Sequence, residues 1–320
     1  MYKAELKGRY RCRLQMNRLN IPGRIILLQS RLTRSARLST VKLAYTDYQP
    51  VTKNYDRNSS FLILHGLFGS KNNWQLLGRK LADRLNTQVV AIDVRNHGDS
   101  PHSSQMTYSL MADDVIALMD SLNLKKCHLL GHSMGGRVAM NLALKMPDRL
   151  NSLIIEDVLP DQGPFSSEFF IRCMEAMLKL DMNMGGDGLA HFRQKAMKTL
   201  EKDIPGIKIR EFLIQNLTKM DDDKMARWRC NVKAIQANWP EIMKGTLPNA
   251  TQFNRPTCFI GGGKSPYLRE GSYTEENKAV ILKYFPQAEC HVVPAAGHLV
   301  HSEQPDVFLE RVCTFLRTML

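Results

Sequence analysis

The chain has 320 residues, of which 43% are apolar and 23% charged, so it can bury one large core, with or without an insertion. Its net charge of +13 is concentrated in residues 1–40, which hold ten Lys or Arg and one acidic residue. The rest of the chain holds 34 basic and 30 acidic residues, with no dense basic patch, which argues against a nucleic-acid partner. No stretch reaches the roughly 18 apolar residues that span a bilayer.

The segment 1–40 is rich in arginine and hydroxyl side chains and nearly free of acid. This composition is typical of a mitochondrial transit peptide, so we expect a location in the mitochondrial matrix. A basic tail without a targeting role is the alternative. The seven cysteines of the whole chain form no CxxC pair, and we expect neither a disulfide framework nor a metal site.

From residue 59, short apolar runs alternate with runs whose apolar residues recur at helical spacing. Strands are predicted in FLILHG, TQVVAIDV, CHLLGHS and LNSLIIEDV, and helices in NNWQLLGRKLADRL, LMADDVIALMDSL and GGRVAMNLALKM. Alternation of this kind, with fully apolar strands, predicts βαβ units and an α/β fold built on a mostly parallel sheet.

The alternation stops in residues 161–250, which have helical, amphipathic patterns and no convincing strand. It resumes with the strand TCFIGGG, a helix opened by Ser272 and Glu275 at capping-box spacing, the strand ECHVVP and the helix PDVFLERVCTFLRTML. The sequence therefore predicts a core made of residues 41–160 and 251–320. Residues 161–250 would form a helical cap inserted at the carboxyl edge of the sheet.

The strand in CHLLGHS runs into Gly131-His132-Ser133-Met134-Gly135, which has the pattern G-x-S-x-G and precedes a predicted helix. At such a junction a serine stands exposed on a sharp turn, and small neighbours let the turn close. The N–H of Met134 would lie at a helix N-terminus, where developing negative charge is favoured. These residues predict a nucleophile, with a glycine-rich turn carrying a solvent-exposed serine as the alternative.

At this motif the chain resembles the α/β-hydrolase superfamily, and the resemblance covers about residues 41–320. HGLFGS, at 65–70, is similar to the family's H-G-x-x-G loop, in which the backbone N–H of the residue after the glycine, here Leu67, binds the oxyanion together with Met134. DVRNHGDSP is similar to the family's D-x-R-G-x-G-x-S turn, from which it departs at Asn96. These two runs also resemble the mitochondrial alpha/beta hydrolase domain-containing protein 11 group and its bacterial esterase relatives.

A serine needs an adjacent base, and the histidine in the loop after the last core strand is in the position to supply it. That loop, AAGHLVHSEQP, resembles the family's histidine loop and contains His298, with His301 as the second choice. His291 lies within a predicted strand, and His132 lies beside the nucleophile. We expect these two to pack or to point away.

The acid is less defined, because the loop after the cap, GGGKSPYLREG, has no acid near the end of its strand. The first acid in that loop, Glu270, lies nine residues beyond Gly261, which ends TCFIG. Glu156 and Asp157 end the preceding strand, and the resemblance to the bacterial relatives points to Asp157. A third option is Asp221–Asp223 in the cap.

Ser133, His298 and Asp157 together predict a serine ester hydrolase that needs no cofactor. The resemblance implies lipid-type esters, diacylglycerol among them, and association with the 2-oxoglutarate dehydrogenase complex. A thioesterase, a C–C hydrolase and a non-catalytic binding module on the same fold are the alternatives. The cap holds eight of the 17 methionines, which suit either a pocket for flexible acyl chains or the cap's own core.

Overall fold

A seven-stranded sheet forms the centre of the molecule, as seen in a computed structural model. The structure describes residues 39–52, 55, 59–161, 167–186, 188–221, 224–245, 247–248, 251–268 and 271–317. The predicted targeting segment 1–40 therefore lies outside the described residues, except for its last two.

The strands of the sheet follow one another in the order β1-β3-β2-β4-β5-β8-β9. All neighbours are parallel except β1, which pairs antiparallel with β3. The strands are β1 (Tyr45–Tyr48), β2 (Phe61–Leu64), β3 (Val89–Ile92), β4 (Cys127–His132), β5 (Leu150–Glu156), β8 (Thr257–Gly262) and β9 (Ala288–Val293). The prediction of an α/β fold with a mostly parallel sheet is confirmed.

Helices cover both faces of this sheet and make up most of the segment between β5 and β8. The described helices are α1 (Gln75–Leu85), α2 (Tyr108–Ser121), α3 (Met134–Lys145), α4 (Ser167–Lys179), α5 (Gly188–Thr199), α6 (Ile207–Ile214), α7 (Val232–Ala237), α8 (Trp239–Lys244), α9 (Glu275–Tyr284), α10 (Val300–Glu303) and α11 (Pro305–Arg317). Helices α2 and α3 pack together, and so do α1 and α11. Among the described residues, no helix has both the length and the apolar character needed to cross a bilayer.

Two local expectations were wrong, and one strand was not predicted. The segment 161–250 contains a short antiparallel hairpin, β6 (Leu217–Lys219) with β7 (Ala226–Trp228), where the sequence predicted no strand. Only three residues of each strand pair, which is too short for an alternating pattern to be recognised. The edge strand β1 was also missed. Helix α9 is capped by Thr274, which forms a capping box with Asn277, and not by Ser272.

Polar side chains join the segment between β5 and β8 to the turn that follows β3. Asn96, in the position of the superfamily's glycine, has a φ of 65°, a left-handed conformation that asparagine tolerates better than most residues. Its Oδ1 accepts hydrogen bonds from the N–H of Ser103 at 2.7 Å and from Nδ2 of Asn231 at 3.2 Å. The departure from the family motif at this position thus supplies an acceptor that a glycine lacks.

The same turn is anchored beneath by a buried ion pair. Arg95 donates to Asp114 through Nε at 2.6 Å and through Nη2 at 2.8 Å, and both side chains are fully buried. Burial raises the pKa of Asp114, and the guanidinium of Arg95 opposes this rise. Removing one partner of such a pair leaves an uncompensated charge in the interior, which is strongly destabilising.

We expect Asp114→Asn to lower the free energy of unfolding by about 3–5 kcal/mol, because Arg95 stays buried without a countercharge. The measurement is chemical denaturation followed by far-UV circular dichroism. Asp306→Asn is the matched control, since Asp306 pairs with Lys80 at the surface, where a pair contributes at most about 1 kcal/mol. Equal effects of the two substitutions would contradict the assignment of Asp114 as a buried anchor.

Candidate active site

Ser133 lies at the tip of the turn that joins β4 to α3. Its φ of 52° and ψ of −115° are strained for a residue with a side chain. Its N–H donates to the carbonyl of Glu156 at 2.9 Å, and its carbonyl accepts from the N–H of Arg137 at 3.1 Å. A Cβ on Gly131 would lie 2.3 Å from the carbonyl oxygen of Gly135, so this turn closes only with glycine at 131. The backbone thus holds the serine side chain above the sheet.

His298 stands between Ser133 and Asp157. Its Nε2 lies 3.1 Å from Oγ of Ser133, and its Nδ1 lies 2.6 Å from Oδ2 of Asp157. The Asp157 side chain is fully buried, whereas that of His298 is 30% exposed. The ring of Tyr267 stacks on the imidazole, with centroids 5.1 Å apart. The structure therefore brings together the three side chains that the sequence proposed as nucleophile, base and acid.

The other partners of Asp157 define the proton positions. Its Oδ1 accepts from the N–H of Gly262 at 2.9 Å, and its Oδ2 accepts from the hydroxyl of Ser265 at 2.5 Å. A carboxylate surrounded by donors accepts from His298 as well, so the imidazole proton lies on Nδ1 and the Nε2 lone pair faces Ser133. Ser265 was missed in the sequence, although it lies in the loop after β8 that was searched for an acid.

The competing acids are bonded elsewhere or lie outside the described residues. Glu156 accepts from the backbone N–H and from Nδ1 of His301, not from His298. Asp221 is exposed in the segment between β5 and β8. Asp222, Asp223 and Glu270 fall outside the described residues. Of the acids that the structure describes, Asp157 is the one bonded to His298.

His132 does pack, as expected, but it packs against His298 itself. The two ring centroids are 4.7 Å apart, and Nε2 of His132 is hydrogen-bonded to the carbonyl oxygen of His298 at 3.0 Å. Burial lowers the pKa of His132 well below its ordinary value, and the neighbouring His298 and His301 lower it further. His291, by contrast, is bonded to Glu289 on β9 and has no part in this arrangement.

Two backbone amides are available beside Ser133. Leu67 follows Gly66, which lies beside the serine, since a Cβ added to Gly66 would be 3.3 Å from the Cβ of Ser133. Met134 begins α3, so its N–H has no partner within the helix. Neither amide has a hydrogen-bond acceptor among the described residues. This pair is available to bind an oxyanion above Ser133.

The loop that carries Leu67 is fixed at its next residue. The N–H of Phe68 donates to Nε2 of His97 at 3.1 Å, and its carbonyl accepts from Nδ2 of Asn216 at 2.7 Å. Burial, and then the neighbouring His65, lower the pKa of His97 to about 3. His97 is therefore neutral at physiological pH and keeps the lone pair that accepts from Phe68.

Within the described part of the chain, two groups of side chains bring possible metal-ligand atoms within 4.8 Å of one another. The first consists of His132, Glu156 and His301, and the second of Cys258, Glu289 and His291. In the first group the carboxylate is already hydrogen-bonded to an imidazole. In the second, burial and the neighbouring carboxylate raise the pKa of the cysteine, which disfavours the thiolate that binds metals. The hydroxyl of Ser133 is hydrogen-bonded to His298 and to no side chain of either group.

Comparison with known proteins identifies the family of the chain. Residues 60–305 match the model of the alpha/beta hydrolase fold family. The chain belongs to the α/β-hydrolase family. It is 36% identical over 260 residues to the sn-1-specific diacylglycerol lipase ABHD11 of Mus musculus, with 80% of each chain covered. It is 31% identical over 264 residues to Esterase YbfF of Escherichia coli strain K12, with 82% of this chain and 95% of the relative covered.

A solved structure of a marine microorganism esterase superimposes with a TM-score of 0.76 at 29% identity, covering 86% of this chain and all of the other. Because these relatives are esterases and lipases, the α/β-hydrolase described here is an enzyme of the esterase or lipase type. The resemblance seen at the sequence motifs is confirmed.

We expect Asp157→Asn to lower kcat on the order of 10³–10⁴-fold, because an amide would hold the His298 imidazole in the wrong tautomer. Glu156→Gln should cost far less, because Glu156 does not contact His298. Hydrolysis of p-nitrophenyl esters by the two purified variants measures the difference. A larger loss of kcat in Glu156→Gln than in Asp157→Asn would show that the acid is misassigned.

Proposed function

We propose that this α/β-hydrolase cleaves carboxylic esters through an acyl-enzyme formed on Ser133. The observation that carries the proposal is the position of His298, whose two ring nitrogens reach the serine hydroxyl on one side and the buried Asp157 carboxylate on the other. This is the arrangement in which an imidazole removes a proton from a serine hydroxyl.

In the first half of the reaction, Nε2 of His298 takes the hydroxyl proton as Ser133 Oγ bonds to the acyl carbon. The oxyanion that forms accepts hydrogen bonds from the N–H groups of Leu67 and Met134. The imidazolium is stabilised by Asp157 and then protonates the leaving alcohol. In the second half, His298 activates a water molecule that attacks the acyl carbon, and the acid is released with Ser133 restored.

The substrate class we propose is a lipid-type ester, with diacylglycerol as a candidate. The relative with 36% identity is named a diacylglycerol lipase, which supports this choice. Of the eight methionines between residues 161 and 250, three are buried, namely Met174, Met177 and Met184. Their burial supports the interpretation that they fill the interior of this segment, so the methionines alone do not favour an acyl-chain pocket.

The alternatives differ in the bond that is cleaved. A thioesterase or a C–C hydrolase would use the same serine, so comparing oxygen esters with thioesters of the same acyl group separates them from an esterase. A purely binding role is disfavoured because it gives no reason for a hydroxyl, an imidazole and a buried carboxylate to be hydrogen-bonded in series.

We also propose that the protein acts in the mitochondrial matrix, on the composition of residues 1–40. Association with the 2-oxoglutarate dehydrogenase complex stays a prediction from the family resemblance.

We expect Ser133→Ala to abolish hydrolysis of short and medium-chain p-nitrophenyl esters and to leave the fold intact, because a methyl group fits the turn. Ester hydrolysis and far-UV circular dichroism are measured on the same preparation. Ser152→Ala is a suitable comparison, since Ser152 lies within β5 and is bonded to His128, away from His298. Retention of most of the activity in Ser133→Ala would refute the proposed nucleophile.

We expect a chain starting at residue 41 to fold and hydrolyse esters in vitro but to stay in the cytosol of cells. A basic segment that is poor in acidic residues and has no long apolar helical face buries too little surface to support the core, and its value lies in import. Cell fractionation of tagged full-length and shortened chains, with the N-terminal sequence of the mature protein, provides the measurement. A full-length chain found uncut in the cytosol would refute the matrix location.

A further inference from the structure

Two consecutive carboxylates, Glu156 and Asp157, stand at the carboxyl end of β5, and each is bonded to a histidine from the same loop. Asp157 is bonded to His298, as described above. Glu156 Oε1 accepts from the backbone N–H of His301 at 2.8 Å and from its Nδ1 at 2.8 Å, and Oε2 lies 3.0 Å from the same nitrogen. The strand end therefore carries two histidine–carboxylate pairs, of which the reaction uses one.

The second pair lies in the interior of the protein. The side chain of Glu156 is fully buried and that of His301 is 6% exposed. The indole ring of Trp74 stacks on the His301 imidazole, with centroids 4.2 Å apart and planes 19° apart. A carboxylate in such surroundings is costly unless it is paired and hydrogen-bonded. Neither of the two side chains bonds to Ser133, which meets Glu156 only through its backbone carbonyl, so the hydrolytic steps give no reason for keeping this charge inside the fold.

His132 connects the second pair to the first. Its ring centroid lies 4.7 Å from that of His298 and 5.1 Å from that of His301. A carbonyl oxygen can only accept, so the hydrogen bond from Nε2 of His132 to the carbonyl of His298 places the His132 proton on Nε2. The backbone of His298 is thus held by His132, while Glu156 holds the same loop three residues later, at His301.

We propose that Glu156, His301 and His132 are positioning residues, which fix the loop of His298 so that its Nε2 faces the Ser133 hydroxyl. The inference rests on the proposed function, since it assigns a role only if His298 is the base. On the solvent side the loop is tied by Glu303, whose carboxylate accepts from the N–H of Gly297 at 3.0 Å. The buried pair supplies the tie on the side that faces the sheet.

Nε2 of His298 lies 3.1 Å from Oγ of Ser133. A shift of the imidazole by a small part of this distance slows proton transfer without altering the substrate site. The positioning role therefore predicts a lower rate of the chemical step at unchanged affinity. A role in folding alone would instead lower the melting temperature and leave the rate of the folded fraction unchanged.

The test is the phosphonylation of Ser133 by a fluorophosphonate in the full-length chain. The serine oxygen bonds to phosphorus, fluoride leaves, and the serine proton passes to His298. The concentration dependence of labelling separates the maximal rate, kinact, from the affinity, KI. The variants are Glu156→Gln, His301→Leu and His301→Asn, and the amide N–H of the asparagine takes the place of Nδ1–H. The melting temperature is measured for each.

We expect Glu156→Gln and His301→Leu to lower kinact by about 10- to 100-fold, with KI within about twofold of the wild-type value. His301→Asn should recover most of kinact. Glu289→Gln is the matched control, because Glu289 forms an exposed pair with His291 on β9, and its kinact should be unchanged. If Glu156→Gln does not fold, the comparison of His301→Leu with His301→Asn decides the question.

If Glu156→Gln and His301→Leu fold and their kinact is unchanged, the positioning role is overturned. Labelling of the wild-type chain would still support the proposed hydrolytic function in that case. An equal loss in His301→Leu and His301→Asn would also overturn it, because the hydrogen bond to Glu156 would then not matter. A wild-type chain that never reacts, with the same result for Ser133→Ala, would instead refute the hydrolytic function itself.

Discussion

The left-handed turn at Ser133 is the constraint on which the geometry of the site depends. Backbone of this kind costs about 1–3 kcal/mol and persists only where its surroundings hold it in place. Here the first turn of α3 is pressed against the end of β2, since a Cβ on Gly135 would lie 2.5 Å from the carbonyl oxygen of Leu64. Gly66, which precedes Leu67, also approaches the serine closely, since an added Cβ would lie 3.3 Å from the Cβ of Ser133. Close backbone contacts on both sides of Ser133 thus hold the nucleophile in place.

The parallel sheet supplies the remaining groups, because the carboxyl ends of its strands meet at one edge. β5 neighbours β4, so a carboxylate that ends β5 reaches the histidine that faces the serine. Asp157 needs a positive φ of its own, 52°, to leave the strand in this direction. Ser265, after β8, then donates to that carboxylate. The acid thus follows the strand beside β4, and a hydroxyl follows the next strand of the sheet, β8.

Much of this could be predicted from the sequence. Fully apolar strands and amphipathic helices have patterns that depend on burial, so the parallel strands and their helices were predicted from FLIL, VVAI and similar runs. The nucleophile and the base follow from their positions at strand ends. The acid was narrowed to Asp157 by resemblance, whereas the residues alone left Glu156 open. The two adjacent carboxylates differ in the histidine to which each is hydrogen-bonded. Those bonds are tertiary contacts, which a local sequence pattern does not show.

The features that were missed share a physical cause. The edge strand β1 has mixed burial, and the β6–β7 hairpin has three residues in each strand, so neither shows a periodic pattern. The bond from Ser265 to Asp157 joins residues 108 positions apart, and that from His132 to His298 joins residues 166 positions apart. Such bonds depend on the register of the sheet, which no local pattern encodes.

The proposed reaction depends on a serine that is made reactive by its histidine. Incubation of the purified full-length chain with a fluorophosphonate, followed by intact-mass measurement and peptide mapping, tests this most directly. The account predicts one covalent adduct per chain, located on Ser133, and its disappearance when the chain is denatured before exposure. An unmodified chain, or an adduct located on any other residue, would contradict it.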